Sequence, residues 1–138
     1  MPLQLDIVTP EKRVLSESVD SVVLPGTEGE FGVLPMHAPL VTTLKPGELV
    51  YSKGGKSEHF AIGTGFVEVT GQTVAVLTDM AMGAADIDEK AVQDALDRAQ
   101  HALESLKNAT PGEETAAVQA IIQKSLAQLH VKRRRHTI

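Results

Sequence analysis

The sequence has no cysteine. Disulfides, thiolate metal ligands and thiol nucleophiles are therefore excluded, and the composition fits a reducing compartment. Aromatic residues are scarce, only Phe31, Tyr51, Phe60 and Phe66. A core must then be assembled from Val, Leu, Ile and Ala, with few large anchors. No apolar run approaches the roughly 20 residues that span a bilayer, so direct membrane insertion is not expected. Attachment to a membrane-bound partner stays open. The opening Met1-Pro2-Leu3-Gln4 lacks a basic region followed by an apolar stretch, and no signal peptide is expected. Basic residues are not in excess, the formal net charge being −5, which argues against a nucleic-acid binder.

What is present divides in two near Met82-Gly83-Ala84-Ala85. Glycine, proline and aromatics concentrate before this point; Ala, Gln, Leu, Asp and Glu dominate after it. The reading is a mainly β, antiparallel β-sandwich over residues 1–85, followed by an antiparallel two-helix hairpin over 86–138, an α+β chain of two domains. In the first part Leu3, Leu5 and Ile7 alternate with polar residues, and Thr9-Pro10-Glu11-Lys12 supplies a turn. Short strands follow at Val14-Leu15, 19–24, 32–34, 40–44, 48–52, 57–62, 65–69 and 73–78. Lys53-Gly54-Gly55-Lys56 and Thr70-Gly71-Gln72 read as hairpin turns, because Gly takes positive φ without steric cost. Gly83 is expected to relax the chain as it leaves the sheet.

The second part changes period. Asp86 is expected to cap a helix with Glu89 at N3. Val92, Leu96, Ala99, Leu103 and Leu106 form one apolar stripe. The chain breaks at Asn108-Ala109-Thr110-Pro111-Gly112, where Thr110 would cap a second helix, with Pro111 at N1 and Glu113 at N3. Val118, Ile121, Ile122, Ser125, Leu126 and Leu129 make the second stripe. One stripe per helix is marginal alone, so the hairpin is expected to dock on the sandwich or on a partner.

No nucleophile elbow, phosphate loop, metal-binding helix or dinucleotide fingerprint occurs, so no catalytic residue and no metal ligand set is named. The loop Gly26-Thr27-Glu28-Gly29-Glu30-Phe31-Gly32 carries two carboxylates that would repel phosphate, and reads as a tight surface loop. His37 reads as a residue that holds a loop by hydrogen bonds rather than a general base. The five histidines are too scattered for a metal cluster. Lys132-Arg133-Arg134-Arg135-His136 ends the second helix, where positive charge suits the helix dipole, and reads as a solubilising or protein-contacting tail. On residue chemistry alone, a sandwich-type binding module for a small polar ligand ranks beside a subunit of a larger machine. An enzyme ranks far behind.

The stretch Pro25-Gly26-Thr27-Glu28-Gly29-Glu30-Phe31-Gly32-Val33-Leu34-Pro35-Met36-His37-Ala38-Pro39-Leu40 closely resembles the signature of the F-type ATP synthase epsilon-subunit family. The resemblance extends through Leu44-Lys45-Pro46-Gly47, Gly65-Phe66-Val67-Glu68-Val69 and Asp86-Ile87-Asp88-Glu89. Gly63-Thr64-Gly65 departs from the family's usual Ser-Gly-Gly. The resemblance implies a non-catalytic central-stalk subunit of a proton-transporting ATP synthase, coupling rotation of gamma and the c ring to ATP synthesis. It also implies that the C-terminal helices, when extended, reach alpha and beta and inhibit ATP hydrolysis. Glu28, Gly29 and Glu30 match the loop facing the c ring, and His37 matches the segment beside it. Lys132, Arg133, Arg134 and Arg135 would meet acidic partners. The implied location is the cytoplasmic face of the bacterial plasma membrane, as a peripheral component. No cofactor is required. Relatives that bind regulatory ATP open the first helix with Ile/Leu-Asp-x-x-Arg-Ala; here Ile87 and Asp88 match and Arg98 matches a later part, but Ala91 stands at the Arg position. That removes a five-donor phosphate partner and weakens any ATP site.

Overall fold

A computed structural model describes residues 2–106 and 112–136, with side chains throughout except at 113 and 134–136. The expected caps at Thr110, Pro111 and Glu113 lie outside the described residues or side chains. Strands run β1 (Leu3–Val8), β2 (Arg13–Val19), β3 (Ser21–Gly26), β4 (Gly29–Val33) and β5 (Leu40–Leu44). They continue as β6 (Gly47–Lys53), β7 (Lys56–Ile62), β8 (Gly65–Thr70), β9 (Thr73–Thr78) and β10 (Ala81–Gly83). A single 3-10 turn at Ala84–Asp86 leads into α1 (Glu89–Ser105), and α2 (Glu113–His136) completes the chain.

The alternation of β1 is reproduced in space: Leu3, Leu5 and Ile7 are fully buried, while Gln4 is exposed between them. Val67, Val69, Val74 and Val76 do the same on β8 and β9, and Leu24, Leu49 and Ile62 close the core from the other layer. Each such side chain contributes roughly 1.5–3 kcal/mol of burial. The strand order is β10-β7-β6-β3-β5-β8-β9-β1-β2, with β4 paired to β3. β3 is the corner of this barrel-like sandwich. It pairs β6 over Ser21–Val23 but β5 only at Gly26. Pro25, between the two registers, has no N–H to continue a ladder. Pairing is antiparallel except between β1 and β9, which are parallel, with Leu5 opposite Val74 and Ile7 opposite Val76.

Two hairpin turns fall where expected, with Gly54, Gly55 and Gly71 all at positive φ. Gly83 does not act as a relaxed exit. It lies extended at φ −67° in β10, opposite Phe60. The start of α1 also differs. Asp86 is taken up in the 3-10 turn, because burial of Ile87 beneath the helices fixes that segment first. The cap is Asp88, whose carboxylate accepts from the Ala91 N–H at 3.1 Å.

The hairpin is docked. Val92, Leu96 and Ala99 of α1 are buried, as the first stripe requires. The second stripe is not a single stripe. Ser125, Ala127, Leu129 and Val131 are buried, whereas Ile121 and Leu126 are 48% and 44% exposed. α2 is the middle layer: it packs on α1 on one side and on β6 and β7 on the other. Two buried flanks spread its apolar residues around the helix. Arg133 near the end of α2 reaches Glu89 at the start of α1, so the two helices are antiparallel. Among the described residues no helix is long and apolar enough to cross a membrane.

Candidate partner-binding surfaces

The acidic loop is built by a tight β3–β4 turn. A Cβ on Gly26 would come within 2.7 Å of the Gly29 carbonyl oxygen, and Gly29 itself sits at φ +133°, so both positions favour glycine. Thr27 ties the loop to β5, its N–H donating to the Thr43 carbonyl at 3.1 Å and the two hydroxyls lying 2.8 Å apart. Glu28, Gly29 and Glu30 are left exposed, with both carboxylates carried by a braced turn.

The other end of β4 enters the His37 segment. The His37 ring donates from Nδ1 to the Ala38 carbonyl at 2.7 Å, and its backbone N–H donates to Leu34 at 3.1 Å. This is a loop-holding histidine. Its neighbour Met36 has φ +67° and is 83% exposed, an apolar side chain presented on strained backbone. Glu28–Glu30 thus stand at the start of β4 and His37 beyond its far end.

The outer surface of β5, β8, β9 and β1 carries a feature that the strand pattern contains but that was not singled out. Thr43, Phe66, Leu77 and Val8 are successive cross-strand neighbours. Phe66 and Leu77 remain 45% and 40% exposed, and Val41 two residues along β5 is 68% exposed. A shallow cavity of about 370 Å³ opens beside them, lined by Val8, Pro10, Thr64, Phe66 and Leu77. This row of exposed apolar side chains is a candidate interaction face. Its signal in the sequence is Phe66 itself, a large aromatic out of phase with the buried Val67 and Val69.

The basic end of α2 is partly engaged. Lys132 Nζ donates to the Ala84 carbonyl at 3.2 Å. Arg133 donates to Glu89 Oε1 at 2.8 Å and to Gln93 Oε1 at 2.9 Å. The side chains of Arg134 and Arg135 lie outside the described ones. The three residues matched to an ATP site do not converge: Ile87 is buried, Asp88 is engaged as the helix cap, and Arg98 lies ten residues further on, about 15 Å along α1. Among the described residues no group of three or more His, Asp or Glu side chains could hold a metal ion.

Comparison with known proteins agrees with this geometry. Residues 2–84 match the family described as ATP synthase, Delta/Epsilon chain, beta-sandwich domain. The chain is 45% identical over 130 residues to the ATP synthase epsilon chain of Nitratidesulfovibrio vulgaris, covering 94% of this chain and 95% of that one. It is 44% identical over 131 residues to the ATP synthase epsilon chain of Anaeromyxobacter dehalogenans, covering 95% and 98%. Among solved structures it resembles a chain of the Euglena gracilis mitochondrial ATP synthase OSCP/F1/c-ring assembly, at TM-score 0.78 and 26% identity over 94% of this chain and 79% of that chain. A chain of the Tetrahymena thermophila mitochondrial ATP synthase central stalk and c ring shares the fold at TM-score 0.56 and 15% identity, over 98% and 96%.

Proposed function

The chain belongs to the epsilon-chain family of ATP synthases, and on that premise we propose that its sandwich is a coupling foot and its helical hairpin a regulatory arm. As a family member it is a non-catalytic central-stalk subunit with a role in coupling within the ATP synthase. The finer reading assigns the sandwich two partners, the gamma subunit and the c-subunit ring. It places the assembly peripherally at the cytoplasmic face of the bacterial plasma membrane, held there by its partners.

The observation that carries this reading is the uncovered apolar stripe Val8–Leu77–Phe66, with Val41 beside it. The hairpin covers β6 and β7 instead. A foot that transmits torque needs a large apolar contact with its rotor, and this stripe supplies one for gamma. Glu28, Gly29 and Glu30, on a turn braced against β5, suit a polar contact with the loops of the c ring, and the His37 turn offers Leu34 and Met36 as apolar companions. The arm is supported by the run Lys132, Arg133, Arg134 and Arg135 at the end of α2. Released, it would carry four cations toward acidic side chains of alpha and beta and restrain ATP hydrolysis.

Reconstitution of the complex tests both halves. Phe66→Thr with Leu77→Thr is expected to leave the chain folded with only a small change in thermal unfolding, because both side chains lie partly in water and Thr suits paired strand positions. It should weaken association with gamma at least about tenfold, the loss expected when anchors at an interface are removed. Removal of residues 132–138, which spares the buried Val131, is expected to raise ATP hydrolysis while assembly persists. Full-strength association of the doubly substituted chain refutes the foot. Unchanged hydrolysis after the truncation refutes the arm.

A further inference from the structure

Lys124, Gln128 and Lys132 are spaced four residues apart, so they form one row along α2. Each is a donor, and together they read one continuous segment, 79–84, which includes the edge strand β10. Lys124 Nζ lies 2.9 Å from Asp79 Oδ2. Gln128 Nε2 lies 3.0 Å from the Met82 sulfur and 3.8 Å from that of Met80. Lys132 Nζ donates to the Ala84 carbonyl at 3.2 Å. The eight residue steps from Lys124 to Lys132 advance about 12 Å, comparable with the reach of the extended segment beneath.

The acid at the head of this row sits in a built socket. The Asp79 N–H donates to the Thr64 carbonyl at 3.0 Å, and Thr64 Oγ1 donates to Asp79 Oδ2 at 3.2 Å. A Cβ on residue 63 would overlap Asp79 Oδ1, so Gly63 is the residue that lets the carboxylate lie there. The apolar contact under the helices is a cluster separate from the main core. It consists of Ala61, Ala84, Ile87, Val92, Leu96, Leu129 and Val131, with Met80 and Met82 at its margin. With fewer buried members than the sandwich core, this is the smaller seam, and the polar row lies along it.

We propose that the row Lys124–Gln128–Lys132, with Asp79 in its Gly63–Thr64 socket as the acidic partner of Lys124, is a latch that sets how readily α2 leaves the sandwich. The proposal rests on the reading of the hairpin as a movable arm and assigns its restraint. Both members of the Lys124–Asp79 pair are partly exposed, so the pair is salt-sensitive and modest in strength.

Hydrogen exchange on the full chain tests the latch. In Asp79→Asn and in Lys124→Gln, α2 amides are expected to exchange roughly two- to fivefold faster than in the parent, the range of an exposed ion pair, with β1 and β9 amides unchanged. Gly63→Ser should loosen α2 similarly by displacing the carboxylate. The double variant Asp79→Asn with Lys124→Gln should exchange no faster than either single variant, because each single change already breaks the pair, and added NaCl should speed α2 exchange more in the parent than in Asp79→Asn. Parental exchange rates in both single variants overturn the latch. So does a double variant whose effect is the sum of the two single ones, because the two side chains would then act separately. ATP hydrolysis by the reconstituted complex is read in parallel: faster α2 exchange with unaltered hydrolysis leaves the latch standing and refutes the inhibitory arm, whereas unaltered exchange refutes the latch whatever hydrolysis does.

Discussion

Tyr51 is the sole tyrosine of a chain without tryptophan, which makes its environment spectroscopically accessible. It is buried on β6, with its ring 6.1 Å from that of Phe60. Burial pushes its hydroxyl from the ordinary value of 10.0 up to about 12, helped by the charge of Glu17, by a hydrogen bond to that carboxylate, and by Glu58. The folded state thus favours the neutral phenol. The stability this confers is complete below pH about 10, the unfolded value, and is lost as pH rises through about 12. Between those limits the loss approaches about 1.4 kcal/mol per pH unit. Tyrosinate absorbance should therefore titrate near pH 12 in the folded chain and near pH 10 in denaturant. Tyr51→Phe should flatten the fall in stability over that window relative to the parent. A folded-state midpoint near pH 10 would show that Tyr51 is not buried beside Glu17 in solution.

At the scale of elements, the β8–β9 ladder depends on Gly65. A Cβ there would overlap the Leu77 carbonyl oxygen and lie 2.8 Å from Thr78 Cα, so the obstacle is backbone that cannot swing aside. Gly65→Ala is expected to cost about 1–3 kcal/mol or more in denaturant unfolding. Hydrogen exchange should rise first at the Gly65–Thr78 end of the β8–β9 ladder. An unaltered unfolding midpoint would contradict the close approach. Such strands were legible from alternation alone: Leu3, Leu5 and Ile7, or Val67 and Val69, announce an inward face at period two. β10 was not legible, because three residues, Ala81-Met82-Gly83, are too few to display a period. The cap of α1 was misread because Asp86 and Asp88 are chemically equivalent; burial of Ile87, a tertiary effect, selects between them. α2 was read as one stripe because the pattern could not reveal that both of its flanks are covered. The candidate surfaces were legible unevenly. The Glu28–Glu30 loop and the tail stood out by charge, but the outward row of Phe66, Leu77 and Val8 and the pairing of Lys124 with Asp79 arise only when distant segments meet.

At the scale of the molecule, two apolar clusters divide the labour. The larger one draws only on positions from Leu3 to Val76, with Ala81 at its edge. The smaller one needs Ala61 and Ala84 from the sandwich side and Ile87, Val92, Leu96, Leu129 and Val131 from the hairpin side. A chain cut after residue 85 keeps every member of the larger cluster. Its new exposure includes Ala61 and Ala84 with Met80 and Met82 at their margin, and Asp79 where Lys124 meets it. That fragment is expected to unfold cooperatively, with a melting temperature lower by a few degrees, a shift that corresponds to about 1 kcal/mol in a domain of this size. Residues 86–138 alone are expected to show far less helix by circular dichroism than they contribute to the whole chain. Each helix would then have at most the other to cover its apolar residues, and isolated helices of this length are marginal. Both results together would establish a self-sufficient foot and a dependent arm. An unfolded 1–85 fragment would show instead that the sandwich needs the covering of α2, and a hairpin so required could not leave its docked position without unfolding the foot.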